Sequence, residues 1–447
     1  MMPERVIPLS GIVPTVAILL LILLPFVWRL RSGPARFLVI AIWLRFVFDA
    51  CAFYTLRPAL AGLSWNAVGS IAVVLAGATV VGLRHLRWTI IVPVYLLLAA
   101  ILLSSLLNHM PAAMVEQGTK FGYLLLIMIG TYQALRTEGA ERFSGALLVS
   151  FLPPLAFLVT SLIFGVSKSG ESDGSISYIG GFYHESVFSI CVATGLVAVA
   201  FATRSHGAIR ALFIAASTAA LLAANYRTAI IAMLPVLLYF VISASVLSVR
   251  REARALVLAV MLVASGVAFI SVGPNLGPRV QSVIDFASRP SEFIRSVDTF
   301  TRDERSLASG RAYVWSQYAE GFREASPHQK LVGHGPDSWE AVFPVYAQNT
   351  ILSYLYEFGV LGAAAAVLIW IAMLIPALRS PWNVRPMLLL LHFSFFVLNM
   401  STMPFWLVEG LIMYGLICGY SIYYGQLGME NRRKRWRFRR TLREAIS

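Results

Sequence analysis

Charge is scarce in this 447-residue chain: Asp, Glu, Lys and Arg make up 13% of it, against 58% hydrophobic residues and a mean hydropathy of +0.73. Soluble domains carry about 25% charged and roughly 45–50% apolar residues, which excludes a water-soluble globular domain. Cysteine is rarer still. Cys51, Cys191 and Cys418 all fall inside apolar windows and read as small buried hydrophobes, so neither a disulfide framework nor a metal cluster follows. No Asp-x-Asp pair is present to hold a divalent cation. The alternation of polar and apolar residues that marks barrel strands is also missing. No cleavable leader is evident: the window near 11–28 follows Pro3-Glu4-Arg5 and is long enough to span, so it is expected to stay as a helix.

What the chain has instead is a recurring apolar run of a length that crosses about 30 Å of hydrocarbon. Such windows lie near 11–28, 37–55, 65–83, 88–107, 120–135, 145–165, 186–203, 209–225, 228–248, 255–272, 349–378, 386–400 and 404–425. The expected fold is therefore an all-α polytopic membrane protein with about 12–13 transmembrane helices, since helices satisfy their own backbone groups in lipid. Pro153-Pro154 is expected to kink the sixth of them.

The net charge of +14 is distributed in a way that argues against nucleic acid. Eight basic residues follow Asn431, and the others cluster in short connections such as Arg29/Arg31/Arg36, Arg84/Arg87 and Arg250/Arg251/Arg254. Strict alternation through the thirteen spans puts every such cluster on one side, which the positive-inside rule makes the cytoplasm. The tail, with Trp436 and Phe438 interleaved, is expected to rest on anionic lipids of the inner leaflet. This gives a domain plan: 1–272 as helices 1–10 with short loops, 273–348 as an outer segment, 349–425 as helices 11–13, and 426–447 as a cytoplasmic tail. Within the outer segment, Arg302–Glu324 reads as a helix whose stripe of Leu307, Tyr313 or Val314, Trp315 and Tyr318 suits a lid lying on the membrane domain. A Gly-rich turn at 333–336 is expected to end it.

Several residues on the outer side could carry chemistry. Arg227, in the hairpin between two spans, reads either as a snorkelling residue at the headgroups or as a planar fork for phosphate. Arg311 has the same pair of readings, its plainer one being a solvated helix face. His334 stands in a glycine turn and His184 in another loop beside Glu185; either is a solvated loop histidine or a base. Glu357 is a further candidate base, or a carboxylate paired with a loop arginine. Tyr183, Trp315 and Trp339 belong to an outer set of aromatics that suits a glycan path as well as an interfacial belt. Arg45 and Asp49, four apart in the second span, read as an internal ion pair or as a proton or ion relay.

Taken together, Arg227, Ser309-Gly310-Arg311 with Trp315, Gly333-His334-Gly335, Asn349 and Glu357-Phe358-Gly359-Val360-Leu361-Gly362 resemble the O-antigen ligase and bacterial polysaccharide polymerase superfamily. A weaker likeness is Gly180-Gly181-Phe182-Tyr183-His184-Glu185-Ser186. The convincing part covers 225–362; the N-terminal half is similar in hydropathy only. The resemblance implies a C-type glycosyltransferase architecture in the bacterial inner membrane, active on its periplasmic face without a metal. It implies an undecaprenyl-diphosphate-linked oligosaccharide donor, a glycan or lipid A core acceptor, and a chain-length regulator as a candidate partner. Arg227 and Arg311 would then bind the diphosphate, and His334 would take the acceptor proton, with Gln348 and Asn349 orienting the hydroxyl. Where the ligases carry His-Asn, this chain has Gln348-Asn349. An amide cannot serve as a base, so the expected activity is a polymerase of lipid-linked repeat units, with an O-antigen ligase as the alternative. A transporter or flippase of lipid-linked sugars is the rival from another class.

The topology has a direct check. With the native cysteines replaced, a cysteine at Ser326 is expected to react with an impermeant thiol reagent in outer-membrane-permeabilised cells, and one at Ser447 only after lysis. The reverse pattern overturns the expected sidedness.

Overall fold

The structure, a computed structural model, describes residues 6–60, 62–169, 176–202, 207–248, 251–253, 295–301, 304–305 and 310–446, with the backbone alone described at Ala112, Ser169, 245–248, Arg251 and 435–446. The span expected near 255–272, Ser309 and most of 273–309 lie outside the described residues. Among the described residues the regular structure is helical apart from two short antiparallel strand pairs, Pro58–Leu60 with Leu63–Ser64 and Lys168–Ser169 with Ile176–Ser177.

Its helices are α1 (Leu9–Arg29), α2 (Gly33–Ala50), α3 (Trp65–Val80), α4 (Val92–Leu107), α5 (Ala112–Glu138), α6 (Ala140–Leu147), α7 (Leu152–Ile163), α8 (Glu185–Ala200), α9 (Gly207–Ala223), α10 (Arg227–Ser248), α11 (Arg311–Glu324), α12 (Pro327–Val332), α13 (Thr350–Arg379), α14 (Arg385–Asn399) and α15 (Val408–Ile446). Among the described residues, five helical stretches are long and apolar enough to cross a membrane: Leu9–Arg29, Thr89–Leu107, Ala140–Ile163, Arg227–Ala244 and Thr350–Arg379. The remaining expected windows within the described residues also coincide with helices. The window at 145–165 is broken as its prolines require: a 3-10 turn at Leu148–Phe151 joins α6 to α7, and Pro153 opens α7, where a missing N–H costs nothing.

The centre of the molecule is α8, buried from Ser186 to Val199. The first half of α15 is buried too, and it lies close along α5. A Cβ added at Gly415 would stand 2.9 Å from the Ile127 side chain, and one at Gly419 2.5 Å from Thr131. This small-residue seam lets the two helices approach where lipid offers no hydrophobic drive to pack them.

The outer segment departs from its sequence reading in two ways. The helix begins at Arg311 instead of Arg302, because Gly310 takes a left-handed conformation (φ 80°, ψ −4°) that no continuing helix can pass through. It also ends before the glycine turn. A second helix, α12, intervenes, started by a capping box of Ser326 and Gln329. The segment does pack on the helices: Tyr318, Phe343, Ala347, Tyr356 and Met403 form a buried cluster joining α11 to α13 and to the turn before α15.

The joint that fixes this packing is a break in α13. Gly359 adopts φ 64° and ψ −165°, a conformation open essentially to glycine alone. The break turns two main-chain carbonyls outward, and the glycine turn after α12 meets them: the His334 N–H donates to the Tyr356 carbonyl and the Gly335 N–H to that of Glu357, both at 3.0 Å. A Cβ at Gly359 would sit 2.3 Å from the Leu331 carbonyl oxygen. Gly359→Ala is therefore expected to cost about 3 kcal/mol or more, strain and clash together. Gly118→Ala is the control, since that helical site has open space and should gain up to about 1 kcal/mol. Thermal unfolding in detergent compares the two; equal midpoints would refute the joint.

Candidate functional site

Arg311 is the first residue of α11, and its guanidinium reaches two other helix starts. Its Nη2 donates to Thr228 Oγ1 at 3.3 Å, in the first turn of α10, and its Nε to Gln348 Oε1 at 3.2 Å, two residues before α13. Arg227 opens α10 beside that threonine, so the two arginines of the sequence reading stand on touching elements. The start of α8 is near as well: the His184 ring lies 6.4 Å from Tyr226, whose hydroxyl meets Thr402 Oγ1 at 3.1 Å. The N-terminal ends of α8, α10, α11 and α13 thus converge. Each brings the partial positive charge of its dipole to this point. Such ends favour anions even without a cation beside them.

Local backbone explains the convergence. Three of the four turns place a left-handed residue just before the helix: Asn225 before α10 (φ 51°), Gly310 before α11 (φ 80°) and Gln348 before α13 (φ 53°). Asn349 then caps α13, its Oδ1 accepting from the N–H groups of Ile351 and Leu352 at 3.0 and 3.2 Å. The expected hydroxyl-orienting role of Asn349 thus shares its side chain with a cap. Gln348 is likewise committed, holding Arg311 by its amide oxygen.

The spacing of Arg311 and Trp315 follows from the same packing. Residues 311, 315 and 318 share one face of α11 at i, i+4 and i+7. Trp315 Nε1 donates to the Ala347 carbonyl at 3.0 Å and the Tyr318 hydroxyl to that of Val345 at 3.3 Å, while Arg311 takes Gln348. One helix face therefore holds the irregular stretch 345–348 along its length. Trp339 packs edge-on to Tyr346 at 6.0 Å, beside this stretch, and Tyr183 lies 6.4 Å from His184.

The three residues named as possible bases separate by their hydrogen bonds. His334 stacks on Tyr356 with ring centroids 4.2 Å apart, and its Nδ1 lies 3.1 Å from the Tyr356 carbonyl. A carbonyl only accepts, so Nδ1 carries the proton and Nε2 keeps its lone pair in the neutral ring. His184 has the opposite tautomer. Its Nδ1 accepts from the Ser186 N–H at 3.0 Å as the cap of α8, which leaves Nε2 as a donor. Glu357 is fully buried, and among the described residues no arginine pairs with it. It accepts from the Ser353 hydroxyl and the Asp337 N–H, both at 2.9 Å, and so brackets the turn that carries His334. His334 itself is part of that turn and does not contact Gln348 or Arg311.

Arg45 and Asp49 do pair, at 3.2 Å, and sequence reading missed the rest of their network. Arg45 also bonds Glu409 of α15 and donates to Asn66 Oδ1 at 2.5 Å and Ser70 Oγ at 2.8 Å. The signal was available: Glu409 is the single charged residue of the window 404–425. Among the described residues no group of three His, Cys, Asp or Glu side chains could hold a metal ion. No protein-family model and no curated protein matches the chain.

The bracket assigned to Glu357 can be measured. Glu357→Met leaves the Asp337 N–H and Ser353 hydroxyl without an acceptor, each a loss of about 1–3 kcal/mol. Glu357→Gln keeps one oxygen and should melt closer to the parent. If the two variants unfold together with the parent, Glu357 does not hold the turn.

Proposed function

We propose that this chain is a membrane glycosyltransferase that polymerises lipid-linked repeat units, moving a glycan from a polyprenyl diphosphate to the hydroxyl of another sugar. The observation that carries this reading is how Arg311 is held. Its two partners, Gln348 and Thr228, are neutral oxygens, and no carboxylate pairs with it among the described residues. Neutral acceptors fix a guanidinium in orientation without cancelling its charge. With Arg227 alongside and four helix ends converging, the region has the makings of a clamp for a dianionic leaving group.

In the proposed step the acceptor oxygen attacks the anomeric carbon, the bond from that carbon to the diphosphate oxygen breaks, and the diphosphate leaves with the electron pair. Negative charge grows on the phosphates, where preorganised cations lower the barrier. The acceptor proton passes to His334 Nε2, the nitrogen that its bond to Tyr356 leaves available. The spacing is compatible with an in-line displacement. Gln348 lies just before α13, and Tyr356 lies six residues beyond the helix start at Thr350, a rise of about 9 Å at 1.5 Å per residue. Gln348 acts here by positioning Arg311, a task for which the ligases' histidine is not needed. An O-antigen ligase would use the same donor site and differ in its acceptor. The bacterial inner membrane, with the site on its periplasmic face, is the setting that this proposal adopts.

Arg227→Lys and Arg311→Lys keep charge but lose the planar fork, and each is expected to lower turnover by roughly 10–1000-fold. His334→Ala should cost about 100–10,000-fold, and Gln348→Ala less than His334→Ala. Turnover of a polyprenyl-diphosphate-linked repeat by purified protein in detergent reads all four. Full activity in both lysine variants would remove the clamp, and normal polymerisation by His334→Ala would remove the base.

A further inference from the structure

A cavity beside the His334 turn differs in chemistry from the region where the helix ends meet. It has a volume of about 840 Å³ and opens between the first turns of α3 and α5, with Arg45 of α2, Val408 of α15, and Pro336 and Asp337 of the His334 turn in its wall. None of Arg227, Thr228, Arg311 or Gln348 lines it. Its size lies within the roughly 300–1,000 Å³ typical of small-molecule sites.

The charges around it do not favour an anion. Arg45 is offset by two carboxylates, Asp49 at 3.2 Å and Glu409. Lys120 is paired with Glu116 at 2.5 Å. Asp337 adds a further carboxyl, which burial foremost, with Glu116 adding to it, lifts above its usual range. Two cations thus face four carboxyl groups, and a diphosphate has no surplus charge to meet. The wall offers acceptors and donors side by side with apolar surface: Glu116, Asn66, Ser70 and Thr119 against Leu56 and Ile71. That mixture suits a ligand with hydroxyls at its edge and C–H groups on its faces. Apolar walls alone would suit a lipid chain, but the Arg45 network buries amide and hydroxyl groups at this very wall, a cost without purpose for a hydrocarbon.

We infer that this cavity is the acceptor subsite, taking the neutral, polyhydroxylated end of a saccharide beside the His334 turn. The inference rests on the glycosyl-transfer reading and adds to it a division of labour: the helix ends hold the charged donor, and the cavity holds the uncharged nucleophile.

Two cavity-filling variants test it, Ala113→Trp and Ala67→Trp, at lining positions on different helices. In the transfer assay each is expected to raise the acceptor KM by about 10-fold or more while the donor KM changes by less than about 2-fold. An unchanged acceptor KM in both, or a rise in donor KM instead, overturns the assignment. A binding measurement separates this from failure of the parent reading. Octyl maltoside below its micelle concentration is titrated against the full chain in nanodiscs, with octyl phosphate and octanol as controls for charge and chain. Maltoside binding that both variants weaken, with the controls binding poorly, supports a saccharide site even if no transfer is ever seen. Equal binding of octanol makes the cavity a lipid-chain pocket, and preferred binding of octyl phosphate makes it an anion site.

Discussion

Two main-chain carbonyls set free at Gly359 organise everything on this face of the molecule. A helix within lipid satisfies its own backbone, and any interruption leaves acceptors that must find donors nearby. Here the donors are the N–H groups of His334 and Gly335, with the Ser104 hydroxyl adding a bond of 2.7 Å to the Glu357 carbonyl. The hydrogen bonds that close the connection run from main chain to main chain. Glycine is required on both partners for steric reasons: a Cβ at Gly333 would lie 2.1 Å from the Glu357 oxygen. The Glu-Phe-Gly and Gly-x-Gly motifs are thus two halves of one joint.

The molecule treats its two important arginines in opposite ways. Arg45 is surrounded by carboxylates and amides until its charge is fully answered within the protein, as expected for an ion buried among helices. Arg311 is held by neutral oxygens at the meeting of helix ends, where its charge stays available. Residue type alone does not distinguish an arginine whose charge is answered within the protein from one whose charge is not. The partners do.

Much of this was legible in the sequence, and the rest was hidden for identifiable reasons. The helix positions follow from hydropathy, because chain length against bilayer thickness is a one-dimensional problem. The pairing of Arg311 with Trp315 on one face follows from the helical period. The start of α11 was misplaced because Gly310 looks harmless inside an amphipathic pattern, and only its left-handed conformation ends the run. Glu357 offered two readings in the sequence, a base or a carboxylate paired with a loop arginine; its partners in the fold, Asp337 and Ser353, are evident only once the turn folds back on α13. Arg45, Asn66 and Glu409 lie far apart in the chain, and no spacing rule joins them. The convergence of four helix starts is likewise a three-dimensional fact that no local pattern encodes.

The last helix has a geometric consequence for the basic tail. From Val408 to Ile446 it is one unbroken helix of 39 residues, or about 58 Å at 1.5 Å per residue. A hydrocarbon core is about 30 Å deep. A rod of that length that starts at one boundary leaves the other with many turns still to run, and Arg432 falls about 36 Å along it, near the level where headgroups begin. The backbone that carries the later basic residues continues along the same axis to Ile446 without a bend that would set it apart as a separate element. Span and tail are thus one rod, and whatever fixes the direction of the buried half fixes that of the basic half as well.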